Sequence, residues 1–460
     1  MKQIKIALAA LTAMAVAAPA MALNVDWHGD LNNRFSYSTQ ADTSVRTSKD
    51  SEKYVSLGGQ LYSLGEIPNI DTKKNSKDSD FFGEIKYRMS LNVSDDDKKV
   101  KGVVGFEFGS AKFGGPDMPF GGDKNNFELM WAYTDIELPF DPASRLIVGL
   151  QPVGYNPLLW SDNAGGVKWV RKCGPWGYSL GWFRDDVAKG TGGDQKTDYD
   201  NAYAGDLAYT FSNGNSINAF VVYLESRGEK LSYDFSTTFN AVTGKFDRNV
   251  PAIDAQDQQI WLGLSGKGKW QDITGQFTGM YLTGELKALD QKFDREAYLF
   301  HGQLDYKLNN TTFTLGGLYA SGDKSDNDGK LKNFDVIDIS TSMIGSVIIF
   351  DNFADDNSLS QAPYLFDKGY ALLYAGARHD LTEKAWLWGR YLWHNTAEKL
   401  AGEDEVGHEF VVGAGYQIMK GLTAEINAGY LLAGDLWKSL GTDGDGDDVF
   451  RTDARIRFVF

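Results

Sequence analysis

The sequence predicts an all-β chain, a closed antiparallel transmembrane β-barrel of about 18 strands, with 16 left open, in a single domain over residues 23–460. Three observations predict it. The chain opens with an export leader, its segments alternate apolar and polar residues with a period of two, and its connections alternate between short and long.

The leader comes first. Lys2 and Lys5 precede an apolar run over 6–18, and Ala20-Met21-Ala22 supplies a small-x-small cleavage site. Residues 1–22 therefore read as a cleaved secretory signal and are set aside from fold reasoning. Beyond them no run approaches the ~20 apolar residues that a membrane helix needs. The mean hydropathy of −0.35 resembles that of a soluble protein. A barrel gives the same average, because every second residue faces a wet interior. The lone cysteine, Cys173, excludes an intramolecular disulfide framework. A net charge of −16 speaks against a nucleic-acid partner, which requires a basic face.

The alternation can be followed along the chain. In the first strand Trp27, Leu31, Phe35 and Tyr37 share one parity, and Asp26, His28, Asp30, Asn32 and Arg34 share the other. Next, Phe81, Ile85, Tyr87, Met89, Leu91 and Val93 oppose Glu84, Lys86, Arg88, Ser90 and Asn92. The pattern returns over 203–211, 298–308, 313–319, 410–416 and 422–432. In the last strand Phe450, Ala454, Ile456, Phe458 and Phe460 face away from Arg451, Asp453, Arg455 and Arg457. Two segments, 127–138 and 370–379, are apolar on both parities, and their faces stay unassigned. A soluble sandwich would also alternate. Its strands, however, are about half as long, whereas these match the ~9–11 tilted residues that cross a bilayer. The aromatic residues near segment ends also suit interfacial girdles.

Short connections are expected at 95–99, 139–144, 172–175, 212–215, 266–269, 309–310, 380–384 and 419–421. Asn213-Gly214 and Asn309-Asn310 tolerate the positive φ of tight turns. Long connections are expected at 38–80, 112–125, 152–165, 185–200, 226–256, 284–295, 322–368, 396–406 and 434–448. Eight short and nine long connections join 18 strands, an even number, with short turns on the periplasmic side and long loops outside. Unpaired edges cannot persist in hydrocarbon, so the last strand must pair with the first. Arg451, Arg455 and Arg457 are then expected beside His28, Asp30 and Arg34.

The first strand Val25-Asp26-Trp27-His28-Gly29-Asp30-Leu31 and the terminal Ile456-Arg457-Phe458-Val459-Phe460 resemble those of the Gram-negative outer-membrane porin superfamily. The resemblance spans the mature chain and is architectural. It implies the outer membrane as location, with lipid and lipopolysaccharide around the barrel. It also implies a terminal assembly signal at Ile456, Phe458 and Phe460 that the barrel-assembly machinery reads. Eighteen strands resemble substrate-selective porins and the alginate-export type, whereas trimeric diffusion porins have sixteen. A homotrimer stays open, since its contact patch would be hidden among ordinary lipid-facing residues. The Pro-Glu-Phe-Gly-Gly constriction motif of some trimeric porins is absent, and Gly114-Gly115-Pro116-Asp117 through Phe120-Gly121-Gly122 is only loosely similar to it.

A barrel this wide cannot be filled by its own side chains and leaves an aqueous channel unless something plugs it. Passive diffusion of small hydrophilic solutes or ions is therefore the expected function. The alternatives are a substrate-selective conduit or exporter for an anionic organic solute or polysaccharide, and a sheath that holds a partner protein. By parity the basic pore-lining candidates are Arg34, Lys86, Arg88, Arg145, Arg390, Arg451, Arg455 and Arg457. The acidic candidates are Glu84, Glu107, Asp206, Asp305, Glu409 and Glu425. They form either a basic stripe opposite a more acidic wall or pairs that neutralise one another. Within 322–368, the stretch 343–350 is too apolar for a solvated loop and too short to span as a helix. It is the expected constriction, against the alternatives of an external lid or a subunit contact.

Other motifs carry little chemistry. Asp443, Asp445 and Asp447 suggest a weak divalent-cation site, but Asp448 and Ala454 stand where an EF-hand needs Gly and Glu. Asp323, Asp326 and Asp328 have less geometry still. No H-E-x-x-H, G-x-S-x-G or haem-attachment C-x-x-C-H occurs, so neither an enzyme nor a cofactor is expected. His379-Asp380 sits at an expected periplasmic turn, the wrong end for a barrel protease.

Overall fold

A computed structural model describes residues 23–39, 80–113, 127–185, 200–233, 252–288, 291–324, 328–339, 342–353, 368–400, 402–436 and 448–460, with strand fragments at 52–57, 60–66, 239–240 and 245–246. Eighteen of its strands form the barrel wall. They are β1 (Asn24–Ser38), β2 (Asp80–Ser94), β3 (Val100–Phe113), β4 (Phe127–Leu138), β5 (Asp141–Asn156) and β6 (Trp160–Cys173). There follow β7 (Trp176–Asp185), β8 (Asp200–Thr210), β9 (Ser216–Tyr233), β10 (Ala252–Trp270), β11 (Ile273–Ala288) and β12 (Gln291–Leu308). The last six are β13 (Thr311–Ala320), β14 (Tyr370–Asp380), β15 (Ala385–Leu400), β16 (Glu403–Met419), β17 (Leu422–Ala433) and β18 (Val449–Val459).

Each strand pairs antiparallel with its chain neighbour, and β1 pairs with both β2 and β18. The sheet closes on itself. Across the seam Arg34 faces Arg455, Asn32 faces Arg457, and Gly29 exchanges both backbone hydrogen bonds with Phe460 at 3.0 Å. The absence of a Cβ on Gly29 makes room for the Phe460 ring, since a methyl there would lie 2.4 Å from its Cζ.

Outward residues are the apolar set. Trp27, Phe35, Leu264, Phe300, Leu315, Val412, Tyr430 and Ile456 are exposed on the face that lipid would cover. The expected short turns stand, with shifts of a few residues at most ends. Asn309 has φ 53° and Gly214 φ 83°, as their turns require. One turn lies elsewhere: β10 runs through 266–269 and turns at Gln271-Asp272, where Gln271 has φ 53°.

Three expected long loops are corrected. The 152–165, 284–295 and 396–406 stretches are mostly strand, because β5–β6, β11–β12 and β15–β16 continue as paired ladders. Similarly, 226–256 is shortened at both ends by β9 and β10. The faces left unassigned now have reasons. A register shift at Gly105/Phe106 disturbs the parity opposite β4. On β14 the inward Tyr370, Leu372 and Tyr374 are apolar because they pack on chain folded into the lumen. The leader over 1–22 and most of 38–80 lie outside the described residues.

Candidate functional site

Among the described residues, two pieces of the chain itself occupy the lumen. The first is the tip of the β5–β6 hairpin, which turns at 157–159 and bends inward. Asn156 Nδ2 donates to Thr278 Oγ1 on distant β11 at 3.2 Å, and Leu158 and Leu159 are buried. The second is the connection between β13 and β14. Its residue Asp338 bridges Trp160, and its carbonyl accepts from Ser161 N at 2.9 Å, so the two pieces brace each other. Phe334, Val336, Ile339, Ile344 and Val347–Phe350 are buried with the inward Phe220, Val222, Trp261, Leu282, Leu299, Leu372 and Leu392. Burial is worth ~1.5–3 kcal/mol for each large apolar side chain, enough to draw the segment inside. The expected apolar segment therefore lies against the inner wall. The hairpin tip was not anticipated, because Pro157-Leu158-Leu159 looked like part of an external loop.

Three acidic anchors fix the second piece. At Asp351, Arg34 Nη1 donates to both carboxylate oxygens at 2.7 Å and Arg451 Nη2 donates to one at 2.6 Å. Arg34 Nη2 also donates to both Glu84 oxygens at 3.0 Å. Burial alone would raise the Asp351 carboxyl. The Arg34 and Arg451 charges outweigh it and hold the group below the usual carboxylate range. The second anchor, Glu409 on β16, is fully buried. It accepts from Ser346 Oγ at 2.6 Å and from the Val347 and Ile348 N–H groups at 2.7 and 2.9 Å. His394 Nε2 lies 3.3 Å away, and its Nδ1 is 2.7 Å from Tyr370 Oη. At the third, Arg295 Nε donates to Asp257 at 2.8 Å, Gln259 bridges Asp257 and Asp335, and Trp261 Nε1 donates to the Asp335 carbonyl at 2.9 Å.

The remaining sequence candidates are also paired. Lys86 and Arg88 both reach Glu107. Arg145 Nε donates to Asp135 at 2.7 Å, and Arg455 Nε to Glu425 at 3.0 Å, with the Arg455 guanidinium 3.9 Å from the Phe353 ring centroid. Arg457 Nε donates to Asp30 at 2.8 Å, the cross-seam neighbour expected for it. Arg390 donates to the Ile344 carbonyl and stands over Tyr374. Asp206 accepts from Ser179, and Asp305 accepts from Gln303 and Thr314 at 2.9 and 2.6 Å. Lys86, Arg88, Arg145, Arg455 and Arg457 thus meet carboxylates, whereas Arg390, Asp206 and Asp305 bond to neutral groups.

Ile456, Phe458 and Phe460 lie on the outward face, with the last two rings 5.1 Å apart. Asp443, Asp445 and Asp447 lie outside the described residues. Among the described residues no acidic, His or Cys cluster could hold a metal. Asp257, Arg295, Asp335, Asp351 and His394 escaped sequence reasoning. Arg295 and Asp257 share the inward face with Ala297 and Gln259, but Arg295 falls in an expected loop and Asp257 at the edge of one.

The chain is thus an 18-stranded closed barrel with part of itself folded into the lumen. No protein-family model matches the chain, and no curated protein matches it. Solved structures do match. The outer membrane protein OpdK from Pseudomonas aeruginosa aligns at 13% identity over 95% of this chain and 98% of that one, with a TM-score of 0.53. A BenF-like porin from Pseudomonas fluorescens Pf-5 aligns at 11% identity over the same shares, with a TM-score of 0.54. OpdK with vanillate gives 13% identity and 0.52, again over 95% of this chain and 98% of that one. At these identities the likeness is one of fold.

Proposed function

We propose that the chain is a non-enzymatic outer-membrane channel whose narrowed lumen passes small hydrophilic solutes by passive diffusion. The observation that carries this reading is the buried seat of 344–353 on the inner wall of a barrel too wide to fill itself. Chain folded inward reduces the bore, so passage depends on solute size and on the groups left facing the water. This favours selection among solutes over a wide, general pore. The structure of OpdK with vanillate supports a small organic molecule as cargo in a barrel of this fold. A sheath around a partner protein is disfavoured, because the space that a partner would fill holds Leu158, Leu159 and Val347–Phe350.

In this reading residues 1–22 direct export and are removed, the terminal Phe460 strand addresses the barrel-assembly machinery, and lipopolysaccharide surrounds the outer rim. The paired charges on β1–β3 and β16–β18 keep the lumen wet at little net field. The test is planar-bilayer recording of purified protein before and after deletion of 340–352. The deletion should raise single-channel conductance severalfold while leaving the barrel folded. An unchanged conductance would remove the segment from the solute path.

A further inference from the structure

The inner face of β9–β12 carries a polar recess that none of the ion pairs uses. Strand register sets Asn218, Ser265, Thr278 and His301 in one row across the four strands, with Lys267 beside Gln276 in the next. This is the face of buried Trp261, Leu282 and Leu299, while Leu262, Tyr281 and Phe300 are exposed on the other. The inserted hairpin tip caps the recess through buried Leu158 and the Asn156–Thr278 hydrogen bond. The recess, open on one side, has a volume of ≈ 210 Å³. At ~30 Å³ per water, that is room for several waters or for one small solute.

Its chemistry differs from that of the ionic wall. No carboxylate lines it, and the single formal charge is the exposed Lys267 ammonium. Hydroxyl and amide groups supply the rest. Asn218 Oδ1 is buried and has no hydrogen-bond partner among the described residues. A buried acceptor in that state calls for a donor. A carboxylate solute brings only acceptors and would leave it unsatisfied, whereas a hydroxyl both donates and accepts. Ser265 and Gln276 can meet neighbouring hydroxyls in either sense, and Leu158 offers an apolar surface to C–H groups.

We propose that this recess is a subsite for an uncharged polyhydroxylated solute, a sugar or polyol, in transit through the channel. The inference rests on the channel reading above. The test is ion-current recording on the full chain in a planar bilayer, with glucose as probe and succinate, which carries acceptors and no donor at neutral pH, as the carboxylate control. Glucose should cause transient, concentration-dependent blockades. Asn218→Leu and Ser265→Ala should each weaken that block about fivefold, the loss of one net hydrogen bond. Their sugar-free conductance should match the parent, which shows that both variants fold. Succinate should block more weakly and without dependence on Asn218. Glucose block that is unchanged in both variants, or succinate block that is as strong and equally sensitive to Asn218→Leu, overturns the subsite. Ion current with no glucose block at all overturns the subsite alone. A parent barrel that carries no current overturns the channel reading, and the subsite with it.

Discussion

Asp351 joins strands from the two ends of the chain. Arg34 comes from β1 and Arg451 from β18, and both guanidiniums converge on one carboxylate that belongs to neither strand. Replacing such a buried set by apolar groups can be neutral, but removing one member leaves an unpaired charge at a cost of about 3–5 kcal/mol. Asp351→Asn should therefore loosen the inserted segment, seen as higher and noisier single-channel current. Arg451→Met should do less, because Arg34 Nη1 still donates to both carboxylate oxygens. The pH dependence follows from the direction of the shift. The folded-state pKa of Asp351 lies below its ordinary 3.8, so its contribution is fully present above 3.8 and is lost only as pH falls through the lowered value. Conductance should stay flat as pH falls from neutrality to 3.8 and rise only below it. A rise already above 3.8 would remove Asp351 as the tether.

The inserted segment packs against β17 at Gly429. A Cβ there would meet Val347 Cβ at 3.0 Å and Ile348 Cγ1 at 3.3 Å. Gly429→Leu should act as a wedge, with an overpacking cost of ~1–3 kcal/mol borne by the docked segment. The barrel should keep its heat-modifiable gel mobility while its conductance rises, and Gly429→Ala should lie between that variant and the parent. Unchanged conductance in both would contradict the close packing. Elements differ in how far the sequence reveals them. Strands β2 and β18 are plain, because lipid on one side and water on the other force apolar and charged residues to alternate. Turns with Asn309 or Gly214 are plain because few residues accept a positive φ. Strand tips such as 284–288 and 396–400 are hidden, since beyond the bilayer no lipid imposes a face. β14 is ambiguous for the opposite reason: Leu373 faces lipid while Leu372 packs on the inserted segment, so both parities are apolar.

Across the whole molecule, closure is legible and the lumen only half so. Arg34, Arg451 and Glu409 could be assigned inward by strand parity, but their partners Asp351, Ser346 and Val347 sit on chain with no periodicity. Tertiary docking alone decides what such residues face. Closure itself makes the last prediction. Asn33 and Ile456 are Cα partners across the seam. Antiparallel partners stand ~4.5–5.5 Å apart at Cα, inside the range a disulfide can bridge. In a Cys173→Ser background, Asn33→Cys with Ile456→Cys should oxidise to an intrachain bridge. The loop it closes takes in almost the whole chain, so the bridge should stabilise by more than the ~3 kcal/mol of a 15-residue loop. The folded band on a gel should then survive higher temperatures until reductant is added. Conductance should not change, because Ile456 lies on the lipid side and the Arg457–Asp30 and Arg455–Glu425 pairs stay intact. Moving the second cysteine one residue, to Arg457→Cys, places the two thiols on opposite faces of the sheet, where no bridge should form. Equal cross-linking of both pairs would mean that the seam slides, and a barrel with a sliding seam could not hold Asp351 between Arg34 and Arg451.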